Sequence, residues 1–334
     1  MRKRRFVLFL IICFSSPFLF SQSKVLVTKE IDLSFFLKPN QYHTIVAADD
    51  FGNLLISQRD VLEEFLRVDK GGNPTGQGPE KREGAIMNLD VTASGDPVVL
   101  FKRTPDQVFS GKAAWACIVY NRLSLTKKKE FDFAVVKERF RTVSDLRVLR
   151  PRDEILIRGI RPDRDDHHSL YVMDMTGKVL RSFSPYQGEL DPLQDQMKFS
   201  DVFALGPCML AIDSVNHRIF QKFPFSKIVK IFSFDGLPLS EIPWETSELS
   251  QFAVFNGDIL WESFPVAQDG DGKMAQRQGP YIILRKQGNA YLSRGEHVEC
   301  NLGLNGILLS YDQAGNLYFL CGEERRVLKI CRLD

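Results

Sequence analysis

The sequence predicts an all-β fold of small antiparallel sheets repeated around an axis, and three observations predict it. The closing stretch, residues 311–334, reads YDQAGNLYFLCGEERRVLKICRLD: strand, turn, strand, turn, strand. Its Gly315 and Asn316 accept the positive backbone angles of a tight hairpin, while Leu, Tyr, Phe, Val and Ile suit a pleated surface buried on both faces. The same unit returns upstream, its first turns spaced by roughly 43 to 58 residues. The composition, 44% hydrophobic and 26% charged over 334 residues, is that of a folded chain, and the repeat accounts for nearly all of it as one domain.

Residues 1–23 read as a secretory signal peptide: a basic cluster (Arg2, Lys3, Arg4, Arg5), an apolar core over 6–20, and Ser21-Gln22-Ser23, offering cleavage after Ser21 or Ser23. The core falls short of the ~20 apolar residues of a spanning helix, so no stable membrane span is expected after cleavage. The bulky Ile12 before Cys13 argues against lipid attachment. The mature chain, 24–334, is therefore expected outside the cytoplasm, periplasmic or secreted. Lys and Arg number 44 against 42 Asp and Glu, and four basic residues leave with the signal. No basic excess remains for a nucleic-acid partner. Cys117, Cys208, Cys300, Cys321 and Cys331 are widely spaced, odd in number and mostly set in apolar runs. They read as buried thiols, and no C-x-x-C pair supports a zinc or thioredoxin-type site.

Residues 24–37 hold Val25, Val27 and Ile31 in a strand-prone context without a turn, an orphan strand awaiting a sheet. The first full unit, 44–69, has a strand at 44–48, the turn Asp50-Phe51-Gly52-Asn53, a strand at 54–57 and a third through Phe65, Leu66 and Val68. Residues 61–68 also fit helical spacing, and the context selects a strand. GGNPTGQGP, 71–79, reads as an irregular linker between units; lacking a G-K-[ST] ending and a following helix, it is not a phosphate loop. The second unit, 85–133, turns at Ala93-Ser94-Gly95-Asp96, has strands at 97–101 and 115–120, and places Lys127-Lys128-Lys129 at a solvated hairpin end. The third, 143–183, reverses at 151–154, continues through 155–157 and 170–174, and turns at 175–178 into a fourth strand. The fourth, 202–234, turns at Gly206-Pro207, with 218–223 and 228–234 competing as its third strand. The fifth, 252–292, turns at 256–258 and resumes at 281–284 after a long polar loop; the sixth is the closing stretch.

Six units at this spacing match the ~40 to 50-residue period of four-stranded blades, so the fold class is a six-bladed β-propeller. The sixth unit has three strands, and the orphan strand at 24–37 supplies its fourth, closing the ring and removing exposed edges. Asp50-Phe51-Gly52-Asn53-Leu54, the run from Asp213 through Asn216 to Arg218-Ile219, and Asp312 through Gly315-Asn316 to Tyr318 resemble the D-x-x-G-N-[IL]-Y and D-x-x-N-x-R-[IV] signatures of NHL-type six-bladed propellers. Residues 72–79 look like the G-x-G-x-G-P connections of exported bacterial propellers. Units two, three and five depart from the pattern.

The resemblance implies ligands near the central channel, on the face of the loops joining second to third strands, the longest of which are 102–113, 159–169 and 262–279. The richest loop runs from Arg158 through Arg161, Asp163, Asp165 and Asp166 to His167 and His168. Imidazoles beside carboxylates suit a divalent metal, but successive residues of an extended strand face opposite ways, so these histidines are poor co-ligands. Asp269-Gly270-Asp271-Gly272 lacks a third acidic residue and has Pro280 where a calcium loop needs its bidentate Glu. His217 reads as a strand-linking turn residue, and His43 has no acidic or thiol neighbour in sequence; neither His43 nor His297 is assigned a role. There is no G-x-S-x-G elbow, and the scattered Ser, His and Asp residues assign no triad.

The candidate ligand contacts are Arg161, His167, His168, Trp261 and Glu262, at the ends of second strands or in the loops after them. No catalytic residue, metal ligand or cofactor is assigned; calcium or zinc would be the metals to consider. The chain reads as an exported binding or scaffold module for a protein, glycan or small ligand, favoured over an enzyme. The alternative is a metal-dependent hydrolase or lyase of the lactonase-like six-bladed kind, whose acidic and amide ligands or spaced histidines are not found at matching positions.

Overall fold

The structure is a computed structural model, and it describes residues 24–39, 43–79, 83–133, 142–160, 169–183, 210–222, 228–243, 252–255, 258–262, 266–268, 274–276, 281–287, 290–300, 307–312, 314–322 and 324–333. Strand β1 (Lys24–Asp32) comes first. The first sheet is β2 (Thr44–Ala48), β3 (Leu54–Gln58), β4 (Phe65–Val68) and β5 (Pro74–Gly78). The second is β6 (Ala85–Val91), β7 (Pro97–Lys102), β8 (Trp115–Tyr120) and β9 (Lys127–Asp132), with helix α1 (Pro105–Phe109) between β7 and β8. The third is β10 (Thr142–Leu149), β11 (Glu154–Ile160), β12 (Ser169–Met173) and β13 (Val179–Phe183). The fourth is β14 (Leu210–Asp213), β15 (Arg218–Lys222), β16 (Ile228–Ser233) and β17 (Pro238–Pro243). Then come β18 (Phe252–Phe255), β19 (Asp258–Glu262), the ribbon of β20 (Val266–Gln268) and β21 (Met274–Gln276), β22 (Tyr281–Gln287), β23 (Ala290–Cys300), β24 (Ile307–Tyr311), β25 (Asn316–Cys321) and β26 (Val327–Leu333).

These strands make an all-β propeller of five blades, where the sequence predicts six. The fifth blade is one eight-stranded sheet in the order β18-β19-β22-β23-β1-β26-β25-β24, so the last two expected units are fused. The fusion is a short parallel pairing of β1 with β23, Lys24 opposite Glu299 and Val25 opposite Cys300. On its other side β1 runs antiparallel to β26, from Val25 opposite Leu333 to Asp32 opposite Val327, which is the expected closure. First strands face the axis: β2 adjoins β6 and β24, β10 adjoins β6 and β14, and β18 adjoins β14 and β24.

Each sheet buries its faces against its neighbours. Ile45, Ala47 and Phe65 of the first sheet pack on Leu89, Val99 and Tyr120 of the second, with the Phe65 and Tyr120 rings edge to face at 5.6 Å. Val98, Leu100 and Cys117 meet Val148, Ile155 and Tyr171 of the third, whose opposite face, Leu156 and Val172, meets Ile212 and Ile219 of the fourth. At the seam Ile31, Leu33 and Leu37 pack with Val46, Leu54, Tyr318 and Leu328.

Several local expectations are corrected. Residues 74–78 are strand β5 and not a linker: as the outermost strand it has no partner on one side, so Pro and Gly cost no ladder bonds there. Lys127, Lys128 and Lys129 open β9 directly after the β8–β9 turn, their exposed side chains lining an edge where Lys discourages edge-to-edge pairing. Residues 105–109 form α1 rather than loop, with Pro at the helix start and a Thr104–Gln107 capping box. The fourth sheet begins at Leu210, and the competing segments are its second and third strands; Gly206-Pro207 lies outside the described residues. The polar loop of the fifth unit carries the β20–β21 ribbon, while Asp269 to Gly272 lie outside the described residues.

Candidate functional site

The inner strands enclose an axial channel with a cavity of about 90 Å³, lined by residues 44–48 of β2, Leu89 and Asp90, Arg147, Val148 and Arg150, Leu210, Ala211, Ile212 and Ser214, and residues 308–312. An inner strand has no neighbouring strand on its axial side, so its N–H and C=O groups need side-chain or water partners. Channel side chains supply several. Tyr311 Oη donates to Ile212 O at 2.5 Å and accepts from Ile212 N at 2.9 Å, tying β24 to β14. Arg147 Nε donates to Leu210 O at 3.2 Å, Arg150 Nη2 to Ala48 O at 2.5 Å, and Val148 N to Asp90 Oδ2 at 2.8 Å.

The two ends of the channel differ. At the end of the first turns, carboxylates fold the turns themselves: Asp49 accepts from Phe51 N, Asn53 N and Asn53 Nδ2 at 2.7 to 2.9 Å. Asp312 accepts from Asn316 N, Asn316 Nδ2 and the Tyr318 hydroxyl, and Asp213 from Asn216 N and Nδ2. In the fourth and last units the Asp and Asn of the predicted signatures, Asp213 with Asn216 and Asp312 with Asn316, are the two ends of one hydrogen-bonded turn; in the first unit that carboxylate is Asp49, one residue before the predicted Asp50, which instead faces Arg150. His217 stands in the left-handed region at φ 52, its ring stacked 5.3 Å from Phe234, which makes it a turn residue. Arg150 is matched here by Asp50 at 2.8 Å and Asp90 at 3.4 Å.

At the opposite end, where second strands finish, polar groups are gathered in the interior. Asp145 is fully buried and accepts from Asn88 Nδ2 at 2.6 Å and from Leu146 N at 3.0 Å. Arg147 Nη1 donates to Asn88 Oδ1 at 3.3 Å and stands 3.6 Å from Asp145 Oδ1. Burial pushes the Asp145 carboxyl up against the opposing pull of Arg147, Arg158 and Arg59. Burial likewise pulls the Arg158 guanidinium, 2% exposed, below its ordinary value, with Asp145 opposing. Thr44 Oγ1, Asp145 Oδ2 and both amide atoms of Gln221 are buried and make no hydrogen bond. By strand alternation Arg158 and Gln221 point into the same seam: Leu156 and Ile219, two residues away on each strand, pack together there.

Arg161, His167 and His168 lie outside the described residues. Trp261 and Glu262 end β19, opposite Ile282 and Tyr281, at the expected end of their sheet. Sequence reading missed Thr44, Asn88, Asp145, Arg147 and Gln221, and set Arg158 at the head of a polar loop where the structure has it inside β11. The signal, where there was one, was a polar residue inside a mainly apolar strand, as in AIMNLDV and EILIRGI.

No protein-family model and no curated protein matches the chain. Among solved structures it is similar to the β-propeller domain of Cps50 (Swd1) from Myceliophteria thermophila, at 9% identity and a TM-score of 0.52, over 93% of this chain and 100% of that one. It is similar in the same degree to a streptogramin B lyase, at 10% identity and a TM-score of 0.52, over 93% and 98%. These likenesses show the propeller fold.

Proposed function

We propose that the chain is an exported propeller that binds a protein, glycan or small ligand at the second-strand end of its channel. The observation that carries this is the polar cluster there: buried Asn88, Asp145 and Arg158 beside Arg147, with hydrogen-bonding atoms left over on Thr44, Asp145 and Gln221. Buried polar atoms without partners are costly and are retained where a ligand or ordered water completes them. One structural neighbour is a lyase by name, but a fold shared at 10% identity brings no reaction with it. The NHL-type resemblance of the Asp and Asn turns, and the five candidate contacts around Arg161 and Trp261, belong to the same proposal.

The test is hydrogen exchange on the purified mature chain in the presence of hits from a glycan and metabolite screen. Protection is expected in residues 84–88, 142–147 and 157–160. Protection confined to the first-turn end, around Gly52, Gly95 and Gly315, would refute the assignment. Export is tested by N-terminal sequencing of the protein from its native cells: a start at residue 22 or 24 is expected, and an intact Met1 in the cytosolic fraction overturns it.

A further inference from the structure

We propose that Arg150 is a strap that closes the first-turn mouth of the axial channel and leaves the channel one-ended. This is independent of the binding reading above, which concerns the opposite end. Arg150 stands just past β10, in the third sheet, while two of its acceptors are in the first: Nη1 donates to Asp50 Oδ1 at 2.8 Å and Nη2 to Ala48 O at 2.5 Å. Strands β10 and β2 are not neighbours in the ring, since β6 lies between them and adjoins both. The guanidinium therefore passes the axial side of β6, where Asp90 stands 3.4 Å away, and it lines the cavity together with Ala48 and Asp90. One side chain thus spans three consecutive inner strands at one level of the channel.

Both ends of the strap are fixed. The turn that carries Arg150 is tied to the second sheet, as Ala93 N donates to Asp153 Oδ1 at 3.0 Å and Asp153 N to Arg150 O at 3.1 Å. Asp90 is held in turn by Val91 N and Val148 N, each at 2.8 Å. Arginine suits the span, because its planar fork meets a carboxylate and a carbonyl at once. The guanidinium has its carboxylates already, so closure rather than ligand capture is what it supplies. Two other carboxylates at this level, Asp213 and Asp312, are committed to their own turns and cannot take over the bridge. The Arg150 side chain is 12% exposed against 38% for Asp50, so the strap is loosened from the Asp50 side.

The experiment puts a thiol in the cavity of the full mature chain with Ser310→Cys, at a half-buried lining position. Its modification by methyl and by benzyl methanethiosulfonate is timed by mass spectrometry of the peptide around residue 310. When Arg150→Ala is added, the methyl reagent should react roughly tenfold faster or more, the factor that one hydrogen bond to a charged group holds back, and the benzyl reagent should gain less. Asp50→Asn removes only the charge of the outer anchor and should show the same order of reagents with a smaller rise. It decides the matter if Arg150→Ala fails to fold. General loosening of the ring would instead speed both reagents by one common factor, because it bares residue 310 to either alike. Unchanged methyl rates in the folded variants, or a common factor for the two reagents, overturns the strap. Neither result touches the binding reading, which exchange at residues 142–147 tests separately.

Discussion

At the scale of the residue, the axial edge of an inner strand has to be satisfied one group at a time. Tyr311 meets both polar groups of Ile212 with a single hydroxyl, and burial pushes that phenol up, keeping it a protonated donor. In Tyr311→Phe the N–H and C=O of Ile212 lose that partner, and unfolding in urea should show a loss of about 1–3 kcal/mol. An unchanged midpoint would mean that the bridge contributes nothing. Asp96 is a second such case, accepting from Arg122 N and Lys128 Nζ at 2.8 and 2.7 Å. Burial acts to raise its pKa, but the Lys128 and Arg122 hydrogen bonds outweigh that and hold it below the ordinary carboxylate value. A lowered folded pKa means stabilisation present above the unfolded pKa and lost as pH falls through the folded one. The stability gap between parent and Asp96→Asn should therefore be constant from neutrality to about pH 4 and narrow below it. A gap that does not narrow on acid titration would show that Lys128 and Arg122 do not favour the ionised form.

At the scale of the element, turns and strand ends decide where each sheet begins. Gly84, at φ +124, leads into β6 against the end of β7, and a Cβ there would press on the Lys102 carbonyl and stand 2.9 Å from Arg103 Cα. Backbone atoms cannot step aside, so Gly84→Ala should cost ~1–3 kcal/mol on top of the strain of its positive φ, or prevent folding. Gly111, also at positive φ but with nothing within 4 Å, is the comparison: Gly111→Ala should lose about 1–2 kcal/mol of backbone strain alone. Equal melting temperatures for the two variants would contradict the steric account. The element scale also explains why β5 was misread as a linker. PTGQG has no strand propensity of its own, and pairing with β4, Leu66 opposite Gln77 and Arg67 opposite Gly76, imposes the extended form.

At the scale of the whole molecule, β1 joins the two halves of the eight-stranded sheet, antiparallel to β26 and parallel to β23. It also delivers Ile31 to the core between the fifth and first sheets, beside Leu33 and Leu37. Removing residues 24–31 would bare an apolar edge of β26 and unlink β23. A blade buries its faces against neighbours, so this loss should exceed that of an ordinary chain end by far. The truncated chain is expected to aggregate or melt well below the parent, read by size-exclusion chromatography and thermal unfolding. A monomer with the parent melting temperature would show that the ring holds without this strand.

The sequence by itself determined the all-β class, the repeat and the pairing of the first strand with the last, because alternation, Gly and Asn turns and an unpartnered strand are local features written in consecutive residues. It also determined the Asp and Asn turns, whose hydrogen bonds span only a few positions, as from Asp312 to Asn316. The tertiary structure alone decided that two expected blades share one sheet, since that depends on where Glu299 and Cys300 come to lie beside Lys24 and Val25. It alone gathered Arg59, Arg147 and Arg158 around Asp145, and set Thr44 on the same channel. Asp145 and Arg147 share β10, while Thr44 lies in β2, Arg59 just after β3 and Arg158 in β11, so no single stretch of sequence shows them together. Their meaning comes from distance in space, which the curvature of the ring fixes and no local pattern records.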